Sequence, residues 1–155
     1  MTPRVVADSS ALLSAERDEI LYLASRGAIQ LVLSPFLMSE VVRIRTERAI
    51  MFGQDREAYR ARINAYVNAL TSLSEMVNHT LLEGGNYTSW LRDPDDEPLL
   101  ATALVGQAEI VVSWNTKDFP PAGSYAHIRF LTPPQLFEEV YQYFPRRIPE
   151  EEIQE

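Results

Sequence analysis

Four acidic residues that are far apart in the sequence lie next to predicted strand ends or in early helical turns. They are Asp8, Glu40, Asp96 and Asp118. In a doubly wound sheet, the ends of the strands and the starts of the following helices share one edge, where ligands bind. Carboxylates gathered at that edge repel one another unless cations neutralise them. The pattern therefore predicts a divalent metal site.

The ligand types at this predicted site favour Mg²⁺ or Mn²⁺ over Zn²⁺. The chain has no cysteine and only two histidines, so the ligands would be oxygen atoms, which these harder cations prefer. Magnesium usually takes one or two protein carboxylates, so four acids could hold one metal or two. Such sites activate water and stabilise the leaving oxygen in phosphodiester cleavage.

Each acid also has a structural explanation when it is taken alone. Asp8 would suit a turn or a helix cap, and Glu40 an exposed helical face. The acids of residues 93–97 would favour the start of a helix through its dipole, and Asp118 would be an ordinary loop acid. The order and context of the four together favour a shared site.

Hydrophobic patterning predicts strands that alternate with helices. The predicted strands are 4–8, 28–33, a weak one near 76–77, 110–114 and 127–131. The predicted helices are 11–24 with a break near Ser14, 35–51, 55–73, 99–105 and 132–143. Residues 81–92 are predicted to form a loop with a helical turn. This alternation is typical of an α/β three-layer sandwich, with a central, mostly parallel sheet and helices on both faces.

Several residue types predict where these helices begin and end. Ser9 and Ser10 are candidate N-caps of the first helix, and Gly27 is the candidate glycine after its end. Ser34 with a following proline predicts the next start. The run Thr132-Pro-Pro-Gln135 is a capping box. We expect one domain over residues 1–145 and a charged tail over 146–155.

The charge distribution restricts how the chain would meet nucleic acid. Its net charge is −8, from 22 acids against 14 bases, which argues against broad electrostatic binding of a polyanion. Residues 43–62 nevertheless hold six arginines and three acids. Arg43, Arg56 and Arg60 are therefore candidate RNA contacts, although a solvated helical face is the default explanation. No apolar leader or membrane-length run is present, and we expect a cytoplasmic protein.

At these positions the sequence resembles the PIN domain, the nuclease fold of VapC-type toxins in prokaryotic toxin–antitoxin pairs. The resemblance is carried by four segments in order: 5–13, 33–41, 96–104 and 111–120. Residues 130–136 also resemble the last strand-to-helix corner of the family. Each of these motifs is short, and their order and spacing together are more specific than any one of them.

The resemblance implies roles for individual residues. Asp8, Glu40, Asp96 and Asp118 would be the metal-binding, catalytic acids. Ser9 and Asn115 would support the metal ligands or position the substrate.

The sequence departs from the family pattern at two places. Asp93, Asp95 and Asp96 crowd together, and the spacing to the Ala101-Thr-Ala run favours Asp96 as the metal ligand. Ser113 and Trp114 stand where a threonine and a polar or basic residue are commoner, which would change substrate contacts.

We therefore expect a Mg²⁺- or Mn²⁺-dependent endoribonuclease, the toxin of a toxin–antitoxin pair. The resemblance implies RNA as substrate, a cognate antitoxin protein as partner, a homodimer and no membrane. The alternative is a catalytically silent PIN-like protein that binds RNA or a regulatory partner. A phosphohydrolase on another doubly wound fold would usually place an aspartate two residues after Asp8, where this chain has Ser10.

Overall fold

A computed structural model describes residues 2–82, 93–119 and 124–145. Within these ranges six strands form one sheet: β1 (Arg4–Ala7), β2 (Gln30–Leu33), β3 (Ser74–Met76), β4 (Ile110–Val112), β5 (Ser124–Tyr125) and β6 (Ile128–Leu131). Their order is β3-β2-β1-β4-β6-β5. Neighbouring strands are parallel except β5, which pairs antiparallel with β6 at the edge.

Six α-helices occur in the same described ranges: α1 (Ser9–Leu12), α2 (Arg17–Ser25), α3 (Pro35–Met51), α4 (Arg56–Leu73), α5 (Glu97–Val105) and α6 (Pro133–Val140). Short 3-10 turns span His79–Leu82 and Pro94–Asp96. The prediction of an α/β fold around a mostly parallel sheet is confirmed. Crossovers between parallel strands are almost always right-handed. The connections from β1 to β2 and from β2 to β3 move along the sheet in one direction, and the connection from β3 to β4 returns in the other. The helices of these two sets of connections therefore lie on opposite faces of the sheet.

The central strands are buried along almost their whole length. Val5, Val6 and Ala7 of β1 are fully inaccessible, as are Val111 and Val112 of β4. Continuous apolar runs of this kind are typical of parallel strands covered on both faces. Strands packed in this way are rigid, so the residues at their ends are held in fixed positions.

The strand order changes direction between β1 and β4. The chain moves outward from β1 to β2 and β3, and then returns to add β4 on the other side of β1. Two hydrogen bonds continue the sheet past this point, from the Asp8 N–H to the Val112 carbonyl (3.1 Å) and from the Ser113 N–H to the Leu131 carbonyl (3.0 Å). Ligands of open α/β sheets bind at such a switch point.

The prediction that Ser9 and Ser10 cap the first helix was wrong. Both lie inside α1, and Asp8 is its N-cap, accepting a 3.1 Å hydrogen bond from the Ala11 N–H. Asp8 follows β1 and is the last residue with an extended backbone before α1, so its side chain can accept a hydrogen bond from the first helical N–H groups.

Other predicted boundaries agree with the structure. The break near Ser14 separates α1 from α2, and Gly27 has a φ of 74° just after α2. The Gly27 N–H donates to the Ala24 carbonyl, and the Ala28 N–H donates to the Leu23 carbonyl. This is the hydrogen-bonding pattern of a helix that ends with a residue in the left-handed conformation. The capping box is present as a 2.9 Å bond from the Thr132 N–H to Gln135 Oε1.

The differences are small. The last helix ends at Val140, a few residues before the predicted end. The two-residue strand β5 was not predicted, because two residues are too few to show a pattern. Most of the predicted loop 81–92 and the predicted tail 146–155 lie outside the described residues.

Gly106, directly after α5, allows this helix to approach β2 closely. A Cβ built at this position would lie 2.4 Å from Val32 Cγ1 and 3.0 Å from the Thr102 carbonyl oxygen. Its own carbonyl accepts a 2.8 Å hydrogen bond from Arg4 Nε. The absence of a side chain at this position therefore sets the depth at which α5 sits on the sheet.

None of the described helices has both the length and the apolar character needed to cross a bilayer.

Candidate metal centre

Asp8 is buried, with 9% of its surface exposed, at the end of β1. Its Oδ1 accepts hydrogen bonds from Ser10 Oγ (2.6 Å) and from the Ala11 N–H, and its Oδ2 accepts one from Ser113 Oγ (2.5 Å). Burial raises the pKa of Asp8 above its ordinary value, the three hydrogen bonds oppose that rise, and the charge of Glu40 adds to it. The site thus holds the carboxylate in place and makes its charge costly unless a cation is near.

The orientation of both serine hydroxyls is fixed by the chain that follows β4. The Trp114 N–H donates to Ser10 Oγ and the Asn115 N–H donates to Ser113 Oγ, each at 2.9 Å. Each hydroxyl has a single proton, and these backbone donors leave that proton free to point at Asp8. The 113–115 segment therefore orients the carboxylate at the end of the neighbouring strand.

Glu40 lies in the second turn of α3, beside the start of α1. Ser9 Oγ donates a short hydrogen bond to Glu40 Oε1, and the carboxylate is close enough to Asp8 to raise its pKa. The predicted helix start explains this placement, because Ser34 caps α3 through the Leu37 N–H and Pro35 follows at the first helical position.

The start of α5 brings a second group of acids to the same edge. Asp93, Asp96 and Asp118 each offer one carboxylate oxygen within 4.8 Å of the others. Asp96 precedes α5 directly, and the 3-10 turn Pro94–Asp96 turns the chain so that Asp93 is also in reach. We call these three residues the acidic trio.

The position of α5 is fixed through a buried pair of hydroxyl groups. Thr102 Oγ1 lies 2.8 Å from Ser34 Oγ and 2.6 Å from the Pro98 carbonyl oxygen. Both Thr102 and Ser34 are fully buried. This contact joins the N-cap of α3 to the first turns of α5, so Glu40 and Asp96 are positioned relative to each other.

The surroundings of Asp96 favour a nearby cation. Burial first, and then the charges of Asp118, Asp93, Asp8 and Asp95, raise the pKa of Asp96 to about 6. Its Oδ2 is buried and accepts no hydrogen bond from any described residue. An unsatisfied buried carboxylate oxygen is costly, and a cation would satisfy it. The donor set, made only of carboxylate oxygens, fits Mg²⁺ or Mn²⁺.

The loop after β4 holds Asp118 through Asn115. Asn115 Nδ2 donates a 2.9 Å hydrogen bond to Asp118 Oδ2, and the Asp118 N–H lies 3.4 Å from Asn115 Oδ1. This reciprocal pairing fixes the position of Asp118 relative to Asn115.

The predicted site residues are placed as follows. Asp8, Glu40, Asp96 and Asp118 all lie at the edge where β1 and β4 end, with Asp96 in the electrostatic field of Asp8. Asp8 and Glu40 are outside the trio, and Asp93 takes part in it. Asp95 is exposed.

The arginines predicted to contact RNA occupy exposed positions of α3 and α4. Arg43 forms a 3.2 Å ion pair with Glu47, one helical turn away. Arg56 and Arg60 form no ion pair with any described residue.

Sequence reasoning missed the roles of three residues. Ser10 and Ser113, which bind Asp8, were interpreted as a helix cap and as a departure from a family pattern. Asp93 was weighed only as a competitor of Asp96, although both contribute to the trio. Two signals were available in the sequence. Ser10 comes two residues after Asp8, and Ser113 stands at the end of the predicted neighbouring strand.

Comparison with protein families gives a match to the model described as the PIN domain, over residues 4–117. Comparison with curated proteins and with solved structures gives no match. PIN domains are generally nucleases that act on RNA and use divalent metals. The matched segment covers well over half of the chain and includes Asp8, Glu40, the first two acids of the trio and Asn115. The chain therefore belongs to the PIN domain family.

Proposed function

We propose that this protein is a Mg²⁺- or Mn²⁺-dependent endoribonuclease and the toxin of a toxin–antitoxin pair. The observation that supports this function most strongly is the acidic trio, in which Asp96 Oδ2 has no hydrogen-bond partner among the described residues, in a chain of the PIN family. The domain responsible is proposed to span residues 1–145.

The residues of the site would have different roles in catalysis. Asp93, Asp96 and Asp118 would hold the cation with Asp8, and Glu40 would join directly or through water. The cation would supply positive charge that neutralises the scissile phosphate and favours ionisation of the attacking water. Ser10 and Ser113 would keep Asp8 oriented, and Asn115 would do the same for Asp118. Attack by water needs no RNA 2′-hydroxyl, so the products should carry 5′-phosphate and 3′-hydroxyl ends.

The test compares cleavage of an RNA oligonucleotide by the wild type, Asp96→Asn and Asp95→Asn, with Mn²⁺ and with EDTA. Asp95 is the matched control because it carries the same charge one residue away and lies outside the trio. We expect cleavage by the wild type and Asp95→Asn with Mn²⁺ only. Cleavage that survives both EDTA and Asp96→Asn would contradict the proposed centre. RNA binding without any cleavage would favour the silent binding protein.

Arg43, Arg56 and Arg60 are proposed to guide RNA toward the acidic edge. Their exposure supports this role, as does the lack of a carboxylate partner for Arg56 and Arg60 among the described residues. Replacing Arg56 and Arg60 together with alanine should weaken RNA binding and flatten its salt dependence. An unchanged salt slope would remove these residues from the interface.

An antitoxin protein and a homodimer are proposed as partners. Ile50 and Met51, at the end of α3, are 64% and 77% exposed, and adjacent exposed apolar side chains are typical of interaction surfaces. The face near Tyr59 and Tyr66, an alternative docking surface, is incompletely available because Tyr66 is buried and its hydroxyl binds the Leu12 carbonyl. Replacing Ile50 and Met51 with serine should lower the mass of the native protein measured by light scattering; an unchanged dimer would place the interface elsewhere.

A further inference from the structure

A basic cavity lies between α3, α4 and the turn that joins α1 to α2. Its volume is about 250 Å³. Four arginines line it: Arg17, Arg45, Arg48 and Arg62. Leu13, Ala49 and Ile63 form its apolar part, and Tyr59 and Phe52 add aromatic rings. None of these residues belongs to the candidate metal centre or to the three arginines discussed above.

The four arginines differ from the others that form ion pairs in the described structure. Arg4, Arg43 and Arg129 each pair with a glutamate within 4 Å. None of the four cavity arginines does so among the described residues. Arg17 donates to the Ser14 carbonyl at 3.1 Å and Arg62 to Gln54 Oε1 at 2.5 Å, so neutral oxygens fix their positions without cancelling their charge.

Arg45 shows that these charges act on one another. Its guanidinium lies 4.6 Å from the centre of the Tyr66 ring. Burial lowers the pKa of Arg45, and the positive charges of Arg17 and, more weakly, Arg62 lower it further, while Tyr66 and Asp18 oppose this change. Asp18 is the acid whose charge acts on this group. Cations that repel one another around a cavity favour the binding of an anion there.

The cavity is joined to the acidic edge by two elements. Arg48 comes eight residues after Glu40 on α3, which is about 12 Å along the helix axis. On the other side, α1 begins at Ser9, which contacts Glu40, and is followed by Leu13, which lines the cavity. A strand bound at the acids would reach the cavity within a few nucleotides.

We propose that this cavity binds a backbone phosphate of the RNA strand at a distance from the cleaved bond, with the adjoining base against Tyr59. This assignment rests on the proposed function, because it takes RNA as the ligand. Arginine pairs with phosphate oxygens through two N–H groups, and aromatic rings stack on unpaired bases. A cavity that combines both group types favours single-stranded nucleic acid over an acidic peptide, which needs the charges but not the ring.

The test measures binding of a fluorescent single-stranded RNA in EDTA, where no cleavage occurs, to the full chain and three variants. Arg48→Gln removes an exposed cavity arginine that has no other described contact, so folding should be unaffected. Arg26→Gln is the matched control, since Arg26 is also exposed but lies at the end of α2. Tyr59→Leu removes the ring and keeps the charges.

We expect Arg48→Gln to reduce the slope of log affinity against log salt by about 0.7, the value for one phosphate contact on a single strand. Arg26→Gln should leave the slope unchanged. Tyr59→Leu should weaken RNA binding roughly five-fold or more while the slope stays the same. Equal slopes for Arg48→Gln and the wild type would overturn the proposal.

A competition arm separates RNA from an acidic protein segment. The competitors are a short single-stranded RNA and a peptide with the acidic sequence of residues 149–155. Displacement by the RNA and not by the peptide supports the proposal, and displacement by the peptide at equal concentration overturns it. Cleavage of RNA with Mn²⁺ is measured separately. If the wild type cleaves RNA but Arg48→Gln has an unchanged salt slope, only the proposed phosphate site in the cavity is refuted. If the wild type does not cleave RNA but the salt slope depends on Arg48, only the proposed nuclease function is refuted.

Discussion

Ser113 Oγ donates a 2.5 Å hydrogen bond to Asp8 Oδ2 across the gap between the ends of β4 and β1. The two residues are 105 positions apart in the sequence and directly follow adjacent parallel strands. The bond stabilises the charged form of Asp8, whose pKa burial raises. The ends of two neighbouring strands thereby supply both the acid and a group that opposes the rise of its pKa.

Replacing Ser113 with alanine should weaken Mn²⁺ binding by about 10- to 100-fold, as loss of an outer hydrogen bond to a ligand commonly does. The change removes the donor to Asp8 and also the acceptor of the Asn115 N–H. Calorimetric titration with Mn²⁺ measures the affinity. Ser39→Ala, on an exposed position of α3, is the control; equal affinities in the two variants would mean that Asp8 does not contribute to the centre.

Asp96→Asn should abolish the rise in melting temperature that Mn²⁺ gives the wild type. The substitution removes a charge from the trio, and stabilisation by a ligand requires binding to the folded state. Differential scanning fluorimetry with Mn²⁺ and with EDTA provides the measurement. Asp95→Asn should retain the rise, and its loss in both variants would indicate a diffuse acidic field instead of a defined centre.

Without metal, the contribution of Asp96 to stability should fall as the pH rises. Its pKa is about 6 in the folded protein against an ordinary value of 3.8, so between these values the folded state binds more protons than the unfolded state. A stabilising effect present at low pH is then lost as the pH rises through the folded pKa.

In EDTA, Asp96→Asn should therefore be more stable than the wild type at about pH 8, and this advantage should shrink at about pH 5. Urea denaturation at both pH values checks the difference. Mn²⁺ should reverse the trend for the wild type, because the cation needs ionised carboxylates. A constant difference between variant and wild type would show that Asp96 has no raised pKa.

Gly106→Ala should destabilise the fold by about 1–3 kcal/mol, the usual cost of overpacking. The added methyl would meet Val32 Cγ1 at 2.4 Å, and Val32 is fully buried in a central strand. Combining it with Val32→Ala removes the clashing atom. Chemical denaturation should give the double variant a smaller loss than the sum of the single losses; strict additivity would mean that α5 shifts freely on the sheet.

The fold could be predicted from the sequence because its local signals agree with one another. Ser34 before Pro35, Gly27 after α2 and the Thr132 capping box each determine a boundary within a few residues. Buried runs such as 5–7 and 110–112 identify central strands. The two residues of β5 gave no signal, because their pairing depends on β6 and not on their own pattern.

The site was harder to predict because its geometry depends on turns. The sequence indicates which acids approach the sheet edge, but the 3-10 turn before α5 decides that Asp93 and Asp96 meet Asp118 while Asp95 points to solvent. The roles of the serines around Asp8 were hard to predict for the same reason. Nothing in the sequence indicates that Ser10 and Ser113 bind the same carboxylate, because only the folded backbone brings both hydroxyls to Asp8.

Asp8 and Asp96 differ in what else they do. Asp8 begins α1 through the Ala11 N–H and accepts from two serines, whereas the Asp96 side chain accepts no hydrogen bond from any described residue. Under the proposed function, replacing Asp8 would therefore combine the loss of a metal-binding carboxylate with damage to the start of α1. Asp96→Asn would leave those backbone contacts intact, so it is the better variant for expression in living cells and for crystallisation with intact RNA.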